Sequence, residues 1–254
     1  MCIRDSILAE RRAQWEAANP KKKYVEPKGV EVAGLPGLPG LPEGWVWATV
    51  EQVGDSREQP VLTGPFGSSL GRDDFISEGV PLLTIGCLKE TGVSLDKAFF
   101  ISQKKAVELE RYKVREGDIL FSRMAAVGRA GLISAFLEGS LINYHLMRLR
   151  LNVNAIDPDY FIYYVRGSGT VESYIHEVNH GVTRDGINTT QLLALPVALP
   201  PQEVQRKIVE EVERLLSVAQ ASELILDANL TRTERLRQGV LGKAFRGELV
   251  ARLD

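Results

Sequence analysis

Gln202–Phe245 reads QEVQRKIVEEVERLLSVAQASELILDANLTRTERLRQGVLGKAF. Within it Ile208, Val212, Leu215, Ala219, Ser222, Leu226, Asn229, Thr233, Leu236 and Val240 follow one another at alternating steps of four and three. That spacing is a heptad seam along one side of a helix. Ser222, Asn229 and Thr233 dilute it. At 1.5 Å of rise per residue such a helix is roughly 60 Å long, too long to fold into a compact core. Residues 201–254 are therefore expected to form one long coiled-coil helix that needs a partner helix.

Upstream, residues 44–200 alternate between two kinds of pattern. Val80–Ile85 (VPLLTI), Asp118–Phe121 (DILF), Ala130–Ile133 and His145–Leu151 (HLMRLRL) carry the branched, apolar character of strands. Phe161–Arg166 and Thr170–Val178 read as helices, with Gly181 where a helix C-cap belongs. Both kinds without a strict βαβ repeat define an α+β domain with a mixed sheet. Before it, Ile7–Ala18 (ILAERRAQWEAA) is rich in helix formers. Residues 1–19 thus read as the end of a preceding helix, whose pattern Met1–Ser6 do not extend, as in a truncated chain. Pro20 stops the helix, and residues 20–43 form a linker with three lysines, Lys21–Lys23, and three copies of Gly-Leu-Pro from Gly34 to Pro42. Three copies with no further period make a spacer rather than a solenoid.

Composition narrows the class. The chain has 254 residues, 44% hydrophobic and 25% charged, enough apolar material for a real core. No apolar run approaches the roughly 18 residues that span a bilayer. Cys2 and Cys87 cannot make a disulfide framework, which fits a reducing cytoplasm. The net charge is −2, and from Trp45 to Pro200 there are 15 lysines and arginines against 18 aspartates and glutamates. Composition therefore gives no basic footprint for nucleic acid. A DNA-facing surface on this chain has to be a local patch or be completed by a partner.

Catalytic motifs find poor settings. His176-Glu177-Val178-Asn179-His180 has the H-E-x-x-H spacing that puts two zinc-binding imidazoles and a water-activating carboxylate on one helical face. Gly181 follows at once, however, and the remaining histidine, His145, sits in a strand-like segment about thirty residues away. A solvated helix end is the better reading. Asp157-Pro158-Asp159-Tyr160 differs by one residue from the D-P-P-Y of amino-methyltransferases, but no suitable glycine-rich cofactor loop precedes it. Asp157 as N-cap with Pro158 in the first turn explains it more simply. Glu26-Pro27-Lys28 lacks the acidic residue a nuclease site needs, and Gly242-Lys243 lacks the spacing of a P-loop.

Three loops are better placed for binding. Gly64-Pro65-Phe66-Gly67-Ser68-Ser69-Leu70 offers small residues and free backbone N–H groups to a phosphate. Ser122–Arg129 carries Arg123 and Arg129 on either side of small residues, and arginine reads guanine bidentately. Gly181–Asn188 is a polar turn holding Thr183, Arg184 and Asn188.

Taken in order, these segments resemble the specificity subunit of type I restriction-modification systems. The landmarks are Leu41–Trp45, Gly64–Ser68, Gly117–Arg123 with Gly128-Arg129, and Gly181–Thr183 through Ile187-Asn188. They continue with Leu195–Pro201, Gln205–Val209 and Leu241–Val250. Each is soft alone; their order and spacing are specific. Val204 departs from the family, which often has glutamate before the glutamine. Family members also usually carry two recognition domains and two long helices, so this chain is expected to be a half-subunit or the C-terminal half of one.

The resemblance implies a target-recognition domain over residues 44–200 that reads double-stranded DNA, with Ser68, Ser69, Arg123, Arg129, Thr183, Arg184 and Asn188 as its contacts. It implies a helix, with Ile208, Val212, Leu215, Leu226, Leu236 and Val240 along its seam, that pairs with a sister helix and with methyltransferase subunits. Catalysis then belongs to partners: S-adenosylmethionine chemistry to the methyltransferases, ATP and Mg to a translocating nuclease. The chain itself is expected to be non-catalytic, without cofactor or metal, and cytoplasmic. Two other readings stay open. One is a coiled-coil adaptor with no DNA role. The other is an enzyme fragment, a methyltransferase or zinc hydrolase, which tight zinc or S-adenosylmethionine binding would reveal.

Overall fold

The computed structural model describes residues 3–30, 38–65, 69–124, 128–179 and 186–249. Contacts divide the chain into two units, Met1–Arg206 and Lys207–Asp254.

In the first unit, helix α1 (Ile3–Ala18) is followed by β1 (Val46–Thr49), α2 (Val50–Val53), β2 (Val61–Thr63), β3 (Phe75–Ile76) and β4 (Val80–Leu83). Then come β5 (Leu88–Lys89), β6 (Gly92–Val93), β7 (Phe99–Ile101), α3 (Gln103–Glu108), β8 (Ile119–Ser122) and β9 (Ala130–Leu132). β10 (Leu141–Ile142), β11 (Leu146–Leu149), α4 (Pro158–Gly167), α5 (Gly169–Asn179), α6 (Thr189–Leu193) and β12 (Pro196–Leu199) complete it. Helix α7 (Gln202–Phe245) begins in this unit and runs into the second.

Two four-stranded sheets organise the domain. One has the order β2-β11-β8-β9 and is antiparallel throughout. The other, β10-β4-β7-β3, is mixed, because β10 runs parallel to β4. The α+β class with a mixed sheet and a long final helix is thus the observed one. β10 and β11 are consecutive, so Asn143-Tyr144-His145 is the turn by which the chain passes from one sheet to the other. Leu83, Cys87, Leu88, Val114, Leu120, Ile133, Leu137, Ile142 and Leu146, all buried, make a core to which both sheets contribute. β8 is buried at every position because its other side is covered too: Phe121 meets Phe161 of α4 edge to face at 6.4 Å. Truncating so enclosed a phenyl ring costs about 3–5 kcal/mol.

Local chemistry explains the boundaries. Asp157 caps α4 by accepting from the N–H groups of Asp159 and Tyr160, with Pro158 in the first turn. Tyr160 is buried, its hydroxyl donating to the Ala198 carbonyl, and burial raises its pKa. The D-P-D-Y run is therefore a helix start with an inward tyrosine. α1 starts at Ile3, earlier than its pattern suggested. It packs on the domain through Ile7 and Arg11, both buried, and the Arg11 guanidinium donates to the Gly54 carbonyl. β1 and β12 pair antiparallel, Val46 opposite Leu199, which ties the beginning of the domain to its end.

At the foot of α7, Gln205 is 1% exposed. It accepts from the Asp157 N–H at 2.8 Å and donates to the Pro200 and Ala155 carbonyls at 3.0 and 3.3 Å. Its side chain fastens the first turn of α7 to the cap of α4. Farther along the helix, Ile208 and Val212 are half-buried. Leu215, Leu226, Leu236 and Val240 are each at least half exposed, as are Leu224, Ile225 and Leu230.

Candidate functional site

The four loop segments that leave β2, β8 and α5 or join β10 to β11 converge through their main chains. Arg123 donates its N–H to the His145 carbonyl at 2.9 Å and accepts from the Ile187 N–H at 2.9 Å. Met124 and Gly186 form an isolated antiparallel bridge. Gly64 donates to the Leu146 carbonyl at 3.1 Å, and a Cβ placed on it would lie 2.1 Å from the Asn143 carbonyl oxygen. Only glycine permits that approach. Asn143 in turn donates to Leu83 of the second sheet. The landmarks Gly64-Pro65, Ser122-Arg123 and Ile187-Asn188, far apart in sequence, therefore share one neighbourhood at the turn between the sheets.

Arg123 is the side chain most firmly placed there. Its Nη1 donates to the Tyr144 carbonyl at 3.2 Å, and its Nε is buried with no partner among the described residues. Ser122 donates its hydroxyl to the Met124 carbonyl at 2.7 Å, which turns the chain sharply after the strand. Arg129 goes elsewhere. Ser122 N–H bonds to the Arg129 carbonyl across the base of the β8–β9 hairpin, so the two arginines leave it on opposite flanks. Arg129 is exposed, reaches the Leu88 carbonyl at 3.4 Å and lines a cavity of about 590 Å3 with Lys89, Glu90, Arg166 and, from α5, Glu172. Burial lowers the Arg166 pKa there. Gly128, at φ +82°, abuts Ile175 of α5.

Asn188 is exposed and serves as the N-cap of α6: its Oδ1 accepts from the Gln191 N–H, and Gln191 Oε1 accepts from the Asn188 N–H, both at 2.9 Å. Ser69 is half-buried. Ser68, Thr183 and Arg184, with Phe66-Gly67 and His180–Gly181, lie outside the described residues. His176 and Glu177 lie on α5, and no group of His, Cys, Asp and Glu among the described residues could hold a metal.

The sequence reading missed Tyr144-His145. Tyr144 is 41% exposed, and its ring packs at a tilt against that of His145, with centroids 3.8 Å apart and planes 38° from parallel. The signal lay in Asn143, whose side chain accepts from the His145 N–H at 3.1 Å and so makes an Asx turn. The sequence places His145 in a strand, but β11 begins at Leu146.

At the opposite end of β2, β8 and β11 lies a charge network, buried at Asp118, Arg148 and Arg150 and exposed at Glu58 and Arg115. Asp118 accepts from the Arg115 N–H and takes Arg150 bidentately. Glu58 pairs with Arg115, Arg148 and Arg150. Burial lowers the Arg148 pKa, with Arg150 adding repulsion. Burial opposes the charge of Arg150 as well, but its bonds to Asp118 and Glu58 outweigh that and raise its pKa.

The geometry is thus an α+β domain with loops gathered at one sheet junction, followed by a long helix with an exposed heptad seam. The chain belongs to the family of the type I restriction modification DNA specificity domain, whose model matches residues 67–225. Among curated proteins it is 29% identical over 217 residues to the type I restriction enzyme EcoBI specificity subunit of Escherichia coli, covering 83% of this chain and 43% of that one. To the EcoKI specificity subunit of E. coli strain K12 it is 31% identical over 178 residues, covering 68% and 38%. The chain thus spans less than half the length of these relatives. Among solved structures, a chain from work on complex assembly and conformational transition of the type I R-M system shares the fold at TM-score 0.62. Identity is 22%, with 97% of this chain and 55% of that one covered. The HsdS subunit from Thermoanaerobacter tengcongensis matches at TM-score 0.56 and 22% identity, covering 97% and 53%.

Proposed function

We propose that this chain reads DNA sequence for a type I restriction-modification assembly, and that it contributes no catalysis of its own. The observation that carries this is the convergence of the family's loop landmarks on one turn, with Arg123 tied to it. Loops held on a rigid scaffold are how one fold presents different contacts without changing its core. In this reading residues 44–200 are the target-recognition domain, residues 1–19 the end of a preceding helix, 20–43 a linker and 201–254 the assembly helix. Arg123 reads a base edge. Ser68, Ser69, Thr183, Arg184 and Asn188 are the further DNA contacts in this reading. Arg129, in its own cavity with Lys89 and Arg166, is set to hold the phosphate backbone.

The partners are double-stranded DNA, methyltransferase subunits and a translocating nuclease subunit, with a second copy of this chain or another half of the subunit across α7. Those enzymes bring S-adenosylmethionine, ATP and Mg. The slightly acidic recognition domain agrees with phosphate contacts being shared with partners. The work takes place in the cytoplasm; among the described residues no helix is long and apolar enough to cross a membrane. Mapping methylated adenines in the source genome with and without the gene tests the proposal. One gapped sequence motif should lose its methylation when the gene is deleted, and an unchanged methylation pattern would refute the reading.

A further inference from the structure

We propose that Tyr144 is a second base-reading side chain, contacting the base pair next to the one that Arg123 reads, with His145 as its brace. This rests on the DNA-reading function above. Four observations carry it.

First, Tyr144 is an aromatic side chain that the core does not use. It is 41% exposed, and the ring contact it makes is with His145. Second, the turn that carries it is tied down through its own carbonyl and through both neighbours. Asn143 N–H bonds to Leu83, Leu146 N–H to Asn143, and His145 N–H to the Asn143 side chain, while the carbonyls of Tyr144 and His145 both accept from Arg123. A tyrosine on so rigid a turn offers a large contact area with only two side-chain torsions to order. Third, Arg123 and Tyr144 are in direct contact, and successive base pairs are about 3.4 Å apart. The contact runs from the Arg123 guanidinium to the Tyr144 carbonyl, so the two residues sit close enough for their side chains to address neighbouring pairs. Fourth, their chemistry is complementary. A guanidinium pairs with the acceptors of guanine, whereas an aromatic ring packs on the C5 edge of a pyrimidine, best on the thymine methyl. The half-site is therefore expected to hold an A·T pair beside a G·C pair.

His145 acts through this tilted ring contact as a positioning residue. Without it the Tyr144 ring is free to change rotamer, so preference at the same base pair should soften while the Arg123 position stays sharp.

The test uses the full chain assembled with its methyltransferase subunits, presented with random-sequence duplex DNA, and reads the bases selected at each position. Wild type should select a defined half-site. Tyr144→Ala should lose preference at one position adjacent to the guanine, weaken binding to the preferred duplex about tenfold and leave the other positions and the melting temperature unchanged. Tyr144→Phe should keep the preference, because the ring is retained. An unchanged selected sequence in Tyr144→Ala, or equal weakening on all duplexes, overturns this proposal alone. So does a Phe variant that behaves like Ala, since that assigns the contact to the hydroxyl. If wild type selects no sequence, the DNA-reading function itself falls.

Discussion

Asp118 holds Arg150 by two parallel hydrogen bonds, Nε to Oδ1 and Nη2 to Oδ2, both 2.7 Å, with both side chains less than a tenth exposed. Asp118 Oδ2 also accepts from the Arg115 N–H at 2.7 Å, closing the turn at Gly117, whose φ is +81°. The Gly-Asp pair that opens the family landmark before β8 is thus a structural device. Asp118→Ala would leave Arg150 buried beside Arg148 with Glu58 as the shared carboxylate. Breaking one side of such a pair costs about 3–5 kcal/mol. Urea unfolding of the variant should show that loss. A loss below about 1 kcal/mol would show that water reaches Arg150 in the native state.

Gln205 should behave similarly on a smaller scale. Gln205→Ala removes the partner of the Asp157 N–H and of the Pro200 and Ala155 carbonyls. Leaving buried polar groups unpaired costs about 1–3 kcal/mol. Hydrogen exchange should speed up at the Asp157 N–H more than in β8; equal protection at both sites would mean the side chain is not what fastens that turn.

The two arginines of the β8–β9 hairpin should separate. Arg123→Ala is expected to weaken binding to the target site more than to random duplex, by about 1–3 kcal/mol for a lost bidentate base contact. Arg129→Ala should weaken both alike and reduce the salt dependence of binding, as a phosphate contact does. Binding isotherms on both duplexes at two salt concentrations decide it, and the reverse pattern would exchange the two roles. Arg184→Ala is expected to follow Arg123.

The seam of α7 gives the fourth expectation. Leu215, Leu226, Leu236 and Val240 expose apolar surface that is costly to leave in water. Two copies pairing antiparallel through Ile208–Val240 would bury it with two-fold symmetry, the commonest arrangement of identical chains. The DNA target would then be a gapped palindrome. Deleting one heptad, Ser222–Asp227 with Ala228, should shorten the gap and leave the half-site bases unchanged. Methylation mapping of the deletion variant reads both; an unchanged gap would rule out the helix as the spacer.

What the sequence disclosed and what it withheld follow from the range of the interactions. α7, α4 and α5 were legible because heptad spacing, an Asp-Pro cap and apolar periodicity are local signals. β4, β8, β9 and β11 were legible because branched, apolar residues mark their runs. β3, β5, β6 and β10 have two residues each, and no periodicity exists in two residues. Their pairing is set by tertiary contact. The site divides the same way. Arg123 and Gly64 stood out by residue type and order, but Tyr144 gained its place only when β10 and β11 were assigned to different sheets. Nor could the sequence tell Arg123 from Arg129, since opposite flanks of a hairpin differ only in what lies beyond them.

The bonds that gather the loops at Asn143–His145 run largely between peptide groups: Gly64 to Leu146, Arg123 to His145, Ile187 to Arg123, Asn143 to Leu83. Peptide groups are the same in every residue. Side chains at the loop tips can therefore be exchanged without loosening the anchor that presents them, provided Gly64 keeps its place. The junction works as a socket for interchangeable tips. Transplanting the tip residues of a relative onto this frame should redirect what it recognises while its melting temperature stays the same.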